Sequence, residues 1–369
     1  MCEVKAMLSC GIVGLPLSGK STVFNVITRA GAEVKPYAGG KTDPNRAVVS
    51  VPDPRFDRLV EIWQPKKATP APVEFVDLAG LSRDASKGAG LGNSFLSFVA
   101  NSDALVHVVR CFDNPDVPHP EETVDPVRDW NIVETELILR DLSVIENRLA
   151  KLVEKKKPSP EEQTEKSLLE RCRDHLFEER PLREMTFTHE EEKSVRGFTF
   201  LTLKPELVVL NLDESQAGGG MPWLEDMKGL ASERGLGLVS LFGRMEMEIS
   251  DLPPEEQAEF MADLGITEPG RERLIREAFS LLGLICFFTI GKDEVKAWTL
   301  PEGSNAVEAA GAIHSDLARG FIRAQVVHYD DFEANGFSNA QCREKGLLRL
   351  EGKEYPVRDG DVIEIRFNV

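Results

Sequence analysis

The chain has 369 residues, more than one hydrophobic core usually organises, so two or three structural units are expected. With 41% hydrophobic and 29% charged residues it falls in the globular range and outside the disordered one. Its 62 acidic against 44 basic residues give a formal net charge of −18, which excludes indiscriminate attraction to DNA, RNA or anionic lipid, so any RNA contact must be local.

Met1 to Cys10 carries Glu3 and Lys5 and has no long apolar region of the secretory kind. Cys2, Cys10, Cys111, Cys172, Cys286 and Cys342 form no C-x-x-C pair and no dense framework, a pattern that fits a reduced, cytoplasmic setting. Leu8 to Val13 reads as a buried parallel strand. It runs into Gly14-Leu15-Pro16-Leu17-Ser18-Gly19-Lys20-Ser21, which matches G-x-x-x-x-G-K-[ST], and Thr22 to Ile27 continues with helical spacing. Strand, glycine loop and helix in that order are the context a P-loop needs. The glycines let backbone N–H groups face phosphate oxygens, and the helix N-terminus adds its dipole. Gly14, Leu17, Ser18, Gly19, Lys20, Ser21 and Thr22 are therefore the expected nucleotide-binding set. Lys20 is the expected catalytic cation on the β and γ phosphates, and the Ser21 hydroxyl an expected Mg2+ ligand.

Val73 to Val76 reads as a second strand, closed by Asp77-Leu78-Ala79-Gly80 as D-x-x-G. Asp77 is placed to hold magnesium and the Gly80 N–H to meet a γ phosphate, whereas a plain Asp-Gly turn is the bland alternative. Ala85 to Gly92 is glycine-rich, as a segment that orders on nucleotide contact should be. No strand directly precedes it, so a dinucleotide fingerprint is rejected. Ala104 to Val109 reads as a buried strand, and His107 within it as a hydrogen-bonded core residue.

Ile138, Leu142, Ile145, Leu149 and Leu152 recur at alternating spacings of four and three, the mark of a coiled-coil seam, with Leu169, Cys172 and Leu176 as a return face. Lys155 to Pro160 is the turn between them and carries a local basic patch, read first as a solvated loop and second as a phosphate contact. Glu206 to Leu210 reads as a strand ending in Asn211-Leu212-Asp213-Glu214. GTP-specific proteins commonly use N-K-x-D there, whose Asp accepts from guanine; N-x-x-E with a displaced Glu214 spares adenine instead. Asn211, Leu212 and Glu214 are the expected base-side residues. Phe279 to Ile290, the most membrane-like run, is shorter than the ~20 residues a spanning helix needs and reads as core. From about Gly283 short strands, a helix around Ala306 to Leu317 and a last strand through Asp361 to Phe367 suggest a small α+β module without a catalytic constellation. His314 there is a surface contact or a helix-terminal hydrogen bond.

Together these residues resemble the YchF or Obg-like ATPases among the Obg-related P-loop GTPases, over nearly the whole chain. Further segments carry the likeness: Ala85 to Gly88, Gly90 to Asn93, His107 to Phe112, Val124 to Asp129, Thr135 to Leu139, Ala297 to Thr299 and Arg319 to Ala324. The resemblance implies an α/β P-loop NTPase G domain interrupted by a helical coiled-coil hairpin, followed by an α+β β-grasp TGS domain. The expected boundaries are residues 8–133 and 201–280 for the G domain, 134–200 for the insertion and 283–369 for the TGS domain. It also implies ATP hydrolysis at least as good as GTP hydrolysis, with Mg2+, and association with a ribosome or ribosomal subunit; neither membrane nor DNA is an expected partner.

Against the family pattern, Leu17-Ser18 replaces the usual Asn-Val, so potassium stimulation through that Asn is not expected. In the switch I stretch Pro36 to Asn45 the family's threonine aligns with Lys41. Either Thr42 shifts by one residue to ligate magnesium, or that contact is absent and hydrolysis is slower. Leu81 follows Gly80 where many GTPases carry a water-orienting Gln; a hydrophobic residue is normal for this family, and slow intrinsic hydrolysis is expected. Phe242-Gly243-Arg244 stands near the base-binding S-A-K turn, which leaves base preference open. The resulting expectation is a cytoplasmic switch ATPase. A nucleotide-gated binding protein with little turnover and a GTP-preferring GTPase remain the alternatives, and a metabolic kinase is disfavoured by the Asp77 turn.

Overall fold

A computed structural model describes residues 7–28, 33–35, 45–77, 99–216, 220–263 and 268–368. They divide into two compact units. The larger comprises Leu8–Val48 and Glu74–Ala278, and the smaller includes Val49–Val73 and Phe279–Val369.

The larger unit is built on a seven-stranded sheet. Its strands are β1 (Ser9–Val13), β2 (Glu33–Lys35), β3 (Asn45–Ser50), β5 (Pro72–Asp77), β6 (Ala104–Arg110), β7 (Glu206–Asn211) and β8 (Gly237–Leu241), in the order β2-β3-β5-β1-β6-β7-β8. β5, β1, β6, β7 and β8 run parallel, and β2 pairs antiparallel with β3 at the edge of the sheet. Every residue of β1, β6 and β7 is buried, as central parallel strands covered on both faces must be. These strands fall where the apolar runs predicted them. Helix α1 (Lys20–Thr28) follows β1.

In the smaller unit α2 (Pro54–Trp63) starts at Asp53, whose carboxylate accepts from Arg55 N, and β4 (Lys67–Thr69) follows it. Helix α3 (Pro126–Val153), in the larger unit, is capped by Asp125, and α4 (Pro160–Phe177) by a reciprocal Ser159–Glu162 capping box. Ile138, Leu142, Ile145, Leu149 and Leu152 of α3 are buried with Leu169, Cys172 and Leu176 of α4 in one apolar cluster, which the four-three spacing had set on facing sides. Asp141, fully buried on α3, ties this pair to the turn that leads into β7 by accepting from Leu201 N, Thr202 N and Thr202 Oγ1. Helices α5 (His189–Arg196), α6 (Pro222–Arg234), α7 (Gly243–Ser250), α8 (Pro254–Asp263) and α9 (Gly270–Leu281) complete the larger unit's chain, α9 ending in the smaller one.

The remaining chain of the smaller unit contains β9 (Leu284–Ile290), β10 (Glu294–Pro301), α10 (Ala306–Ile313), α11 (Ser315–Arg319), β11 (Phe321–His328), α12 (Tyr329–Ala334), α13 (Asn339–Glu344), β12 (Arg349–Glu351) and β13 (Asp361–Phe367). Its six-stranded sheet has the order β12-β11-β13-β9-β10-β4. One helix was expected from Ala306 to Leu317; the chain instead breaks at His314, whose extended backbone ends α10 and whose Nδ1 accepts from Asp316 N to start α11. The apolar run Phe279 to Ile290 is divided between α9 and the mostly buried strand β9. Among the described residues no helix is long and apolar enough to cross a membrane.

Candidate functional site

The loop from β1 to α1 is shaped by two glycines in the left-handed φ range. A Cβ at Gly14 would collide with the Val108 carbonyl of β6, and one at Gly19 with Asn211 Nδ2, so neither position accepts another residue unchanged. Leu17 adopts φ 61° and leaves 53% of its surface exposed, so the apex of the loop holds a conformation that L side chains rarely adopt. Ser18 is buried; its N–H donates to Leu15 O at 3.3 Å, and its Oγ has no hydrogen-bond partner among the described residues.

Lys20 opens α1 and folds back over the loop, its Nζ donating to Gly14 O at 3.0 Å and Leu15 O at 2.7 Å. Burial lowers its pKa to about 8, against the opposing charge of Asp77. Asp77 is itself buried at the carboxyl end of β5, opposite Ile12 of β1. Ser21 is exposed on the first turn of α1, and Thr22 lies close to Gly243. The Asp77 carboxylate and the Ser21 hydroxyl are both hard oxygen donors, the ligand type that magnesium prefers. Thr42 and Gly80, with Lys41, Leu81 and the 85–93 stretch, lie outside the described residues.

On the base side Asn211 ends β7 and is buried against the loop. Its Nδ2 donates to Ser18 O at 3.1 Å, and its Oδ1 faces Gly243 so closely that a Cβ there would stand 2.7 Å away. Leu212 contributes its side chain to the core and its N–H to Leu241 O, which leaves only its carbonyl for a ligand. Glu214 is exposed at the start of a 3-10 turn, Glu214–Gln216. A cavity of about 310 Å³ opens beside these residues, lined by Leu212, Asp213, Glu214, Phe242, Arg244, Met245 and Glu248. The structure thus joins Leu212 and Glu214 to the Phe242-Gly243-Arg244 turn. Met245 and Glu248 were not anticipated; Glu248 was findable as the residue four beyond Arg244 once a helix is started at Gly243.

Behind the loop, His107 is a hydrogen-bonded core residue, as expected, and its partner is 99 positions away: Nδ1 lies 2.8 Å from Glu206 Oε1. The same carboxylate accepts from Trp130 Nε1 at 2.9 Å and meets the Arg183 guanidinium, which also donates to Glu134 at 2.7 Å. Burial raises the Glu134 pKa, and Arg183 opposes the rise; at Glu206 Arg183 and His107 outweigh burial and lower it. A narrow gap separates Leu15, Pro16 and Ser18 from His119 and Asp129, which are paired at 2.9 Å. His119 was not singled out in the sequence, because a histidine in a Pro-flanked loop gives no sign of the carboxylate it will meet.

Two family models match the chain: one described as "50S ribosome-binding GTPase" over residues 9–157, and the YchF-GTPase C-terminal model, described as a protein of unknown function, over residues 284–368. The chain is 44% identical over 362 residues to "Ribosome-binding ATPase YchF" of Haemophilus influenzae, covering 98% of this chain and 99% of that one. It is 43% identical over 365 residues to the protein of the same name from Bacillus subtilis, covering 98% and 100%. Among solved structures, that of the Schizosaccharomyces pombe YchF GTPase matches with a TM-score of 0.85 at 31% identity, covering 98% of both chains.

Proposed function

The chain belongs to the YchF family, and from that premise we propose that it is a nucleoside-triphosphate hydrolase, a Mg2+-dependent switch ATPase for which GTP is at most an equal substrate. The observation that carries the reading is the contact of Asn211 with Ser18, which sets the cavity beside Glu214 next to the P-loop. A base held in that cavity puts its triphosphate at Gly14 to Thr22, and the Glu214 carboxylate suits the amino group of adenine better than the Asp of N-K-x-D would.

In this mechanism the loop amides cradle the phosphates, and Lys20 exchanges its two backbone carbonyl partners for phosphate oxygens. Ser21 and Asp77, with Thr42 from switch I, would hold magnesium, which supplies charge neutralisation on the β and γ phosphates when bound. Leu212 and Glu214 seat the base, and Gly80 contacts the γ phosphate. Water attacks in line, and no side chain is assigned as its base. The γ-phosphate contacts then order the switch segments and alter how the rest of the chain meets its partner.

We further propose that α3 and α4 form the coiled-coil hairpin of residues 134–200, interrupting a G domain of residues 8–133 and 201–280, and that residues 283–369 are a TGS domain. The partner is a ribosome or ribosomal subunit, as the relatives' name supports, and Lys155 to Lys157 at the α3–α4 turn offer the local positive charge an acidic protein needs to meet RNA. The test is equilibrium binding of ATP and GTP with magnesium, then phosphate release with and without ribosomes, with Lys20→Ala as control. ATP affinity equal to or above that for GTP, with turnover lost in the variant, is expected. A strong GTP preference overturns the base assignment, and tight binding without turnover in either condition overturns the hydrolase.

A further inference from the structure

The groups that face the candidate base cavity are unequal in their freedom. Asn211 is engaged by the P-loop and by the close approach of Gly243, the Leu212 N–H is engaged by Leu241 O, and Asp213 Oδ1 accepts from Ser215 N. These bonds occupy the Asn211 Nδ2, Leu212 N–H and Asp213 Oδ1 groups and leave the Leu212 carbonyl as a fixed backbone acceptor, which cannot turn to suit both an amino group and an oxygen at carbon 6 of a purine. Opposite them, on the first two turns of α7, stand Arg244 and Glu248, one helical turn apart on the same face, with Arg244 Nε 3.2 Å from Glu248 Oε1. Their side chains are 83% and 57% exposed. An exposed pair of this kind contributes only ~0.2–1 kcal/mol, so either member can leave the other at little cost. The two offer opposite chemistry to the cavity: guanidinium is donor only, carboxylate acceptor only.

We propose that the Arg244–Glu248 pair is the specificity-determining element of the nucleotide site, a two-way reader that lets the protein take both 6-amino and 6-oxo purine triphosphates. With a 6-amino purine, Glu248 turns in to accept from the exocyclic N–H and Arg244 stays in solvent. With a 6-oxo purine, Arg244 turns in to donate to the exocyclic oxygen and Glu248 stays out. Glu214 accepts from the second N–H of the exocyclic amino group of a 6-amino purine or from the ring N–H of a 6-oxo purine, so the contact that changes in kind at position 6 is the one made by the pair. The inference rests on the proposed seating of the base beside Glu214.

The test is titration of the full-length protein with fluorescent ATP and GTP analogues in the presence of magnesium. Arg244→Ala should weaken the GTP analogue about tenfold, the worth of one charge-assisted hydrogen bond, and leave the ATP analogue within about twofold. Glu248→Ala should do the reverse. The exchange Arg244→Glu with Glu248→Arg, which keeps both groups at the rim, should recover most of both affinities. Since both residues are exposed, melting temperatures should not move, and a general loss of fold would weaken both analogues alike. Equal effects on the two nucleotides in either single variant, or no effect in either, overturn the proposal. Analogue binding that survives Lys20→Ala would mean the nucleotide sits elsewhere, and would overturn the seating and the reader together.

Discussion

Lys20 shows how much chemistry a motif match leaves unstated. The pattern places a lysine at the start of α1, but only packing reveals that its ammonium is buried over the loop and bound to Gly14 O and Leu15 O, with its pKa brought down to about 8. Bound triphosphate favours the charged lysine, so the free protein must gain a proton on binding once the pH exceeds that value. Nucleotide affinity should therefore fall as pH rises from about 8, by up to roughly tenfold per unit, with net proton uptake in calorimetry at pH near 8.5 in buffers of different ionisation enthalpy. Constant affinity between pH 7.5 and 9 would show that Lys20 is already charged in the free protein. The same shift has the opposite sign for stability. A lysine whose folded pKa lies below its unfolded value costs stability while charged, and that cost is relieved between about pH 8 and 10.5. At this scale Gly14 and Gly19 were legible because backbone geometry demands glycine there, and Lys20, Ser21 and Asp77 because the proposed phosphate and ion chemistry calls for those residue types. The left-handed Leu17, the buried Ser18 Oγ and the engagement of Asn211 were not, because each depends on a neighbour distant in the chain or on a conformation its residue type does not announce.

The elements were legible where burial imposes a period. β1, β6 and β7 are continuous apolar runs because both faces are covered, and α3 carries a seam because one stripe meets α4. Periodicity is silent on what joins such elements. The 3-10 turn Leu182–Glu184, after α4, carries Arg183 into a buried cluster where it bridges Glu134 of α3 and Glu206 of β7. His107 of β6 and Trp130 of α3 complete it. One guanidinium thus ties β7 and a long helix to the turn that follows the helical pair, and Glu206 carries the link on to His107 of β6. Removing it leaves two carboxyl groups in a site with little water, so Arg183→Met should cost about 3–5 kcal/mol in denaturant unfolding. Adding Glu134→Gln should return part of that loss, since the neutral amide needs no counter-charge; strictly additive destabilisation in the double variant would show that the groups are independent.

At the scale of the whole molecule, chain order and spatial order part company between β3 and β5. Residues 49–73 run from the end of β3 to the start of β5, yet they belong to the compact unit that contains residues 279–369. The reason is apolar and long-range. Phe56 and Leu59 of α2 are buried, and α2 packs on β9 and β10. Trp63 meets Phe332 and Phe337 at centroid distances of 5.6 and 5.8 Å, and β4 adds a parallel edge to β10. Arg55 fixes the arrangement, donating to Asp359 at 2.7 Å, while Asp359 accepts from Cys286 N and the guanidinium lies over Phe288. None of this could be read locally, because α2 alone is an ordinary amphipathic helix with a Pro start and an Asp cap. Burying Phe56 and Leu59 and half-burying Trp63 contributes roughly 4–7 kcal/mol, a large part of the ~5–15 kcal/mol that stabilises a domain. A fragment of residues 279–369 should therefore melt without a cooperative transition and bind a hydrophobic dye. The same fragment with residues 49–73 fused through a short glycine-serine linker should melt cooperatively and lose the dye. Arg55→Ala in the fused fragment should lower its stability by about 1–2 kcal/mol, since the lost ion pair is partly exposed. If the shorter fragment is as cooperative as the fused one, α2 is an accessory to that fold; if not, the smaller unit needs for its own core a segment that the chain supplies more than 200 residues earlier, between β3 and β5.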